Sequence, residues 1–178
     1  AIIIAAGSDT QVRVDRLKVS DTLAQGVILP VSGGLSGRLA ISGGGIDGDI
    51  IFQPGAARQL IRANLTAANA RFNGDSPIFI RIGNLDADVL LIDGRSNVNA
   101  TLQAQGISYG ELIIGRIAGN AKLTDGVGSA TFSMAGTRGS SFDFQAKAAI
   151  KRDSYSLTGN GRFEGRALRL SRPLQLTR

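Results

Sequence analysis

The chain has 178 residues, of which 43% are hydrophobic, and a net charge of +6. It is therefore too apolar for a disordered segment and long enough for one domain. Cysteine and histidine are both absent, which excludes disulfides and removes the commonest metal ligand and the usual general base near neutral pH. We expect a non-enzymatic protein without cofactor or metal. The arginines are scattered along the chain, which argues against a nucleic-acid-binding surface.

The first elements are short and apolar. Residues 1–6 predict one strand whose upstream neighbour is missing, so we expect the chain to be a fragment of a longer protein. From Val12 to Val19, apolar residues alternate with polar ones, but the phase slips in the middle. One extra residue would restore the alternation, which predicts a β-bulge near Asp15 and Arg16.

The one candidate helix covers residues 54–62. Pro54 can open a first helical turn, and the alanines, arginine and glutamine that follow favour helix. Gly55 comes immediately after the proline and weakens this prediction. A loop that runs into a strand is an equal alternative.

The second half of the chain alternates regularly between apolar and polar residues. Between residues 97 and 105, every odd position is polar and every even position is apolar, which is typical of a half-buried strand. The pattern returns at 117–124, 129–134, 142–150 and 155–158. Strands spaced by about twelve or thirteen residues indicate antiparallel neighbours that pair in sequence order.

Pairs of aspartate or asparagine with glycine tolerate the positive φ angles of hairpin turns, so they predict where strands end. These pairs are Asp47-Gly48, Asn73-Gly74, Asp93-Gly94, Asp125-Gly126 and Asn160-Gly161. Further breaks are expected at Gly106, at Gly139-Ser140 and at residues 43–45.

The alternation gives successive strands one shared apolar face, and the sequence offers no second set of elements to cover it. Such a sheet can close into a barrel or sandwich, or form a long curved trough whose apolar side accepts acyl chains. We predict an all-β fold: an elongated antiparallel β-groove over residues 1–178, with at most one short helix near 54–62. The residues expected to line the groove, for which an ordinary core is the alternative role, are Val98, Ala100, Leu102, Phe132, Met134, Phe142, Phe144, Ala146, Ile150 and Leu157.

Three stretches resemble the TamB family, the inner-membrane-anchored translocation and assembly module proteins of Gram-negative bacteria, which are related to the AsmA-like group. They are NLTAANARFNG at 64–74, LQAQGISYGEL at 102–112 and GRFEGRALRLSRPLQL at 161–176. The last resembles the family's recurrent phrase of a glycine strand followed by an apolar strand ending in Pro-Leu. The resemblance covers most of the chain after Leu35 and is to an interior or C-terminal-half portion.

The resemblance implies a taco-shaped β-groove, polar outside and hydrophobic inside, that spans the periplasm as part of an inner-membrane-anchored protein. It also implies that phospholipid moves along this groove between the inner and outer membranes, and that an outer-membrane protein of the Omp85 type is the partner of the parent protein.

Two other roles stay open. The chain could act as a scaffold or chaperone-like module that offers strand edges to outer-membrane proteins by β-augmentation. A closed β-solenoid or a carbohydrate-binding sandwich would instead need a sealed core and surface aromatic residues, which are scarce at 5% of the chain. Because unpaired edge strands attract one another, we also expect the isolated fragment to self-associate.

Overall fold

A computed structural model of the protein describes residues 2–5, 11–74 and 76–177, and all the regular structure in these ranges is β-strand. No helix that could cross a membrane occurs in them. The strands are β1 (Ile2–Ala5), β2 (Gln11–Val19), β3 (Thr22–Val31), β4 (Gly34–Ser42), β5 (Ile46–Gly55), β6 (Arg58–Phe72), β7 (Ile78–Ile92), β8 (Arg95–Tyr109), β9 (Leu112–Thr124), β10 (Val127–Arg138), β11 (Ser140–Ile150), β12 (Ser154–Phe163), β13 (Arg166–Arg169) and β14 (Leu174–Thr177).

These strands form one antiparallel sheet in which sequence neighbours pair from β1 through β13. The last strand, β14, returns to β12 and pairs with residues 154–157, while β13 pairs with residues 160–163 of the same strand. In the part of the chain that the structure describes, no pairing joins β1 to β13 or β14, so the sheet is open. The predicted all-β, antiparallel fold with strands in sequence order is confirmed.

The described sheet is one layer thick. Its extensive contacts join only strands that are neighbours or next neighbours in the sheet. The accessible surface is 11792 Å², whereas a compact globular protein of this size exposes about 8,200 Å². Among the side chains that the structure describes, the buried hydrophobic ones are only Val14, Ala70, Ala104 and Phe142. The chain therefore has no sealed core over these residues.

The region of the candidate helix forms a hairpin instead. Gly55 ends β5, Ala56 and Ala57 make a tight turn, and Arg58 begins β6. Ala57 has a φ of 54°, which a right-handed helix does not allow. The helix alternative is wrong because β6 pairs with β5 on one side and with β7 on the other, and these ladders outweigh a weak local preference for helix.

Two of the predicted turn pairs form hairpin turns as expected. Asp93-Gly94 and Asp125-Gly126 have positive φ at both residues, as a type I′ turn requires. Asn73-Gly74 lies in the connection between β6 and β7. Asp47-Gly48 and Asn160-Gly161 lie near a strand boundary, as expected, but the predicted turn is wrong for both: they are within β5, which begins at Ile46, and β12, which ends at Phe163.

The glycines of those two internal pairs have a packing role. A side chain at Gly48 would overlap the backbone carbonyl of Asn64, and one at Gly161 would overlap the ring of Phe144. Glycine is therefore placed there by the close approach of a neighbouring strand and not by a reversal of the chain.

The bulge predicted near Asp15 and Arg16 is confirmed. The register between β2 and β3 shifts between Val14 and Leu17, so the two intervening residues have no Cα partner in β3. The shift keeps Val14 and Leu17 on one side of the strand despite their odd spacing.

A second irregularity crosses four strands at one level, and we call it the bulge line. Its residues have no Cα partners in the registers of β6 to β9, and they are Asn69, Arg81, Gly106 and Gly115. Asn69 and Gly106 have φ angles of 53° and 64°. Strand β10 carries no extra residue, so the register with β9 shifts between Ala135 and Gly136. The predicted break at Gly106 is thus a bulge inside β8, not the end of a strand.

Candidate functional site

The registers align alternate side chains in rows that run across the sheet, because successive side chains of a strand point to opposite faces. Four such rows point to one side of β8 to β12, which we call the apolar face. They are Val98, Leu123, Gly128, Ile150 and Tyr155; Ala100, Ala121, Ala130, Ala148 and Leu157; Leu102, Gly119, Phe132, Ala146 and Gly159; and Ala104, Ile117, Met134, Phe144 and Gly161.

Every residue that the sequence analysis assigned to a groove wall lies on this face. All of them except Phe142 belong to the four rows. Phe142 lies one position beyond Phe144 on the same side, and the two ring centroids are 5.6 Å apart. Phe142 is 8% exposed, whereas Leu102, in the middle of the face, is 39% exposed. Side chains of the face therefore pack against their neighbours within the sheet, but the centre of the face is open to solvent.

The alanine row continues beyond β8 and forms a shallow furrow. Six successive strands place alanine opposite alanine, from Ala63 in β6 to Ala148 in β11. Larger side chains, such as Val98 and Leu102, stand on both sides of the alanines in β6 to β8, and on one side in each of β9 to β11. Five strand spacings of about 4.8 Å make the furrow about 24 Å long, perpendicular to the strands. One acyl chain spans about 15 Å of a bilayer core, so it fits within that length.

The apolar face also extends through the first half of the sheet, which the sequence analysis missed. The row of Val98 continues through Val89, Ile61 and Phe52 to Ile28 in β3, with Gly37 in β4 between the last two. A side chain at Gly37 would overlap the backbone carbonyl of Val27. Glycine at a face position hides the alternation in β3 to β5, although Ile46 and Ile50, with Asp47 and Asp49 between them, were a usable signal.

Most charged residues lie on the opposite side, which we call the polar face; Arg138 at the end of β10 and Arg166 in β13 lie on the apolar side, beyond its four rows. None of the four rows of the apolar face contains a charged side chain. On the polar face, Arg62 and Asp88 are cross-strand partners with an N to O distance of 2.9 Å, and so are Arg162 and Asp143. These exposed pairs each contribute at most about 1 kcal/mol to stability. Their main consequence is that the two faces differ sharply in polarity.

The described residues contain no cluster of three or more acidic, cysteine or histidine side chains that could hold a metal ion. No family model, curated protein or solved structure matches the chain. The distinguishing feature of the molecule is thus a continuous apolar face without a described layer above it.

Proposed function

We propose that the chain is a section of a non-enzymatic lipid conduit, in which the acyl chains of phospholipid lie on the apolar face. The observation that carries this proposal is the uncovered row structure of that face, with Leu102 39% exposed at its centre. Covering apolar surface is favourable by about 25 cal/mol per Å². A hydrocarbon chain supplies that cover without leaving polar groups unpaired.

The relief of the face supports a flexible hydrocarbon as its occupant. Alanine and glycine occupy many positions in the rows, so the surface has a furrow but no deep pocket that would fix a rigid ligand. The furrow runs across the strands and along the long direction of the sheet. An acyl chain that lies in it can shift from strand to strand and meet the same kind of apolar surface at each step. This geometry suits a path more than a single binding site.

The proposal includes a place in the cell. In line with the resemblance to the TamB family, this section belongs to an inner-membrane-anchored protein of the periplasm that conducts phospholipid between the inner and outer membranes, with an Omp85-type outer-membrane partner. An open antiparallel sheet with one apolar face has the architecture that this role needs. The fold is the feature that supports this location.

Photocrosslinking tests the lipid contact. A benzoylphenylalanine is placed at Met134 on the apolar face or, as the matched control, at the adjacent Ser133 on the polar face. After irradiation in cells, mass spectrometry of the purified protein should find phospholipid adducts at Met134 and few at Ser133. Equal labelling at both positions, or none at Met134, would contradict the proposal.

A scaffold that acts by β-augmentation is the second candidate function. The observation that favours it is that β13 and β14 each pair with β12 alone, so the backbone groups along their other edges are open in the described sheet. Native mass spectrometry after mild purification separates the two functions. Co-purifying phospholipid supports the conduit, whereas a bound outer-membrane protein without lipid supports the scaffold.

A further inference from the structure

A cleft of about 1000 Å³ opens on the polar face, across β8 to β13. Strands β8 to β12 each contribute two side chains of that face and the backbone of the residue between them, as Thr101 and Gln103 do on either side of Leu102. The segment from Arg169 to Pro173 forms a wall at one end. That wall is anchored by a hydrogen bond that the Leu170 amide donates to the Gly159 carbonyl, at 3.0 Å. We call this space the polar cleft.

The polar side chains of the cleft are available to a ligand. Side-chain amides face it from four strands, at Gln103, Asn120, Gln145 and Asn160. Elsewhere on the sheet, Gln59 uses its amide to bind the backbone of Leu35 in both directions. The four cleft amides form no such hydrogen bond with any described part of the chain. Their donors and acceptors are therefore not satisfied by hydrogen bonds within the described part of the chain.

The charge of the cleft is of one sign. Its only charged lining residues are Lys147 and Arg169, and no carboxylate lines it. Neither cation forms an ion pair with a described acidic residue, in contrast to Arg62 and Arg162 on the same face. Two unpaired cations among uncharged hydrogen-bonding groups favour an anionic ligand with many hydroxyl groups.

We propose that the polar cleft binds an acidic oligosaccharide, which is held by charge and hydrogen bonds and not by the aromatic stacking that a carbohydrate-binding sandwich would use. Each of β8 to β12 presents at least one side-chain amide or hydroxyl to the cleft. The strand spacing of about 4.8 Å is close to the length of one sugar ring, so each successive sugar meets a hydrogen-bonding partner. Lys147 and Arg169 bind carboxylates of the oligosaccharide. A single-stranded nucleic acid would need aromatic platforms for its bases, and the one aromatic residue that borders the cleft, Phe132, points to the opposite face. The cleft and the apolar face lie on opposite sides of the sheet, so this site is independent of lipid binding.

Calorimetric titration of the 178-residue chain with a hexamer of galacturonic acid tests the site. The double variant Lys147→Gln, Arg169→Gln should bind the hexamer about tenfold more weakly or worse, because both charge contacts are lost. The matched control, Arg95→Gln with Lys151→Gln, makes the same change in net charge outside the cleft. It should bind the hexamer as tightly as the unsubstituted chain does. Far-ultraviolet circular dichroism checks that each variant keeps its strands.

An uncharged variant gives a second measurement that does not depend on net charge. Asn120→Val with Gln145→Leu removes two free amides and keeps both cations, and it should also weaken binding of the hexamer. Four results would overturn the proposal. They are no binding of the hexamer by the unsubstituted chain, equal weakening of hexamer binding in the cleft and control variants, equally tight binding of neutral maltohexaose, or tighter binding of an oligothymidine.

Discussion

Leu102 and Gln103 are adjacent in β8, yet their side chains lie on opposite faces of the sheet. The register places Leu102 beside Gly119 and Gln103 beside Ala118. Leu102 has neighbours on its own face but no described element above it, so one side of its side chain is open to solvent. A residue in this position differs from one in a sealed core because a polar replacement can still reach water.

Charges placed on the apolar face should damage lipid contact more than they damage folding. We expect Leu102→Arg and Phe144→Asp each to destabilise the chain by less than the several kcal/mol of an unpaired buried charge, because the charged group stays near water. They should reduce lipid crosslinking from Met134, since they interrupt the apolar path. Thermal unfolding and crosslinking are measured in parallel.

Gln103→Arg and Gln145→Arg are the controls for this experiment, because the same strands carry them on the polar face. Both should leave unfolding and crosslinking nearly unchanged. If the apolar-face variants fail to fold, these side chains form an ordinary core. If they fold and crosslink like the parent protein, the conduit proposal is wrong.

Two glycines of the apolar face should differ in their tolerance of alanine. At Gly161 a Cβ atom would overlap the Asp143 carbonyl oxygen and the ring of Phe144, whereas at Gly119 the nearest atom is the Thr131 carbonyl oxygen at 3.4 Å. We expect Gly161→Ala to cost about 1–3 kcal/mol of unfolding free energy through overpacking. Gly119→Ala should be neutral or slightly stabilising, because it reduces the entropy of the unfolded chain. Urea unfolding midpoints decide, and equal midpoints for the two variants would contradict the packing argument.

At the scale of the strands, the bulge line keeps distant parts of the sheet on one face. In β8 and β9 the extra residues Gly106 and Gly115 reverse the alternation once, so Ile107 and Ile114 lie in line with Gly136 and Phe142. Without the extra residues, the two isoleucines would move to the polar face. The bulges therefore extend the apolar face to the ends of the long strands.

The alanine furrow makes a prediction at this scale. Ala121→Leu places a larger side chain in the middle of the furrow, and since nothing described lies above it, the unfolding free energy should change by less than about 1 kcal/mol. Phospholipid recovered with the purified protein should decrease. Ala118→Leu, on the polar face of the same strand, is the matched control and should leave the lipid content unchanged. Equal lipid content in both variants would exclude the furrow as the path.

The strands that could be predicted from sequence are those whose alternation is local. The run from Val98 to Ala104 shows its two faces without reference to any neighbour, and the phase slip near Asp15 shows its bulge in the same way. The turn predictions failed at the glycines inside strands, because Gly48 and Gly161 are required by the close approach of side chains or carbonyls of a neighbouring strand. Short-range sequence contains no information about such an approach.

The furrow could not be predicted for a related reason. Alanines recur throughout the second half of the chain, but whether Ala100 meets Ala121 depends on the length of every intervening turn and on the bulges. A register shift of one residue in any hairpin would place the alanines of that strand out of line with those of its neighbour. The residues of the apolar face could therefore be predicted from the sequence, whereas the furrow that they form could not.

The whole molecule exposes one apolar face and two open ends of its described sheet. We expect it to self-associate as concentration rises and to bind a hydrophobic dye such as ANS, because uncovered apolar surface and unpaired strand edges both favour contact between copies. Light scattering over a concentration series, with dye fluorescence, measures both effects. A species that stays monomeric at high concentration and binds no dye would instead indicate a closed core.

The pairing of each strand with its sequence neighbours has a consequence for how such a sheet can change in length. Interaction energy in a linear array is shared between adjacent units only, so an interior piece can be lost without breaking distant contacts. The piece has to contain an even number of strands, because one strand alone would leave its neighbours running the same way with a short turn between them. Residues 112–138, which form the hairpin of β9 and β10, are such a piece. Without them β8 would meet β11 in the antiparallel sense, and the molecule would become a shorter copy of the same two-sided surface.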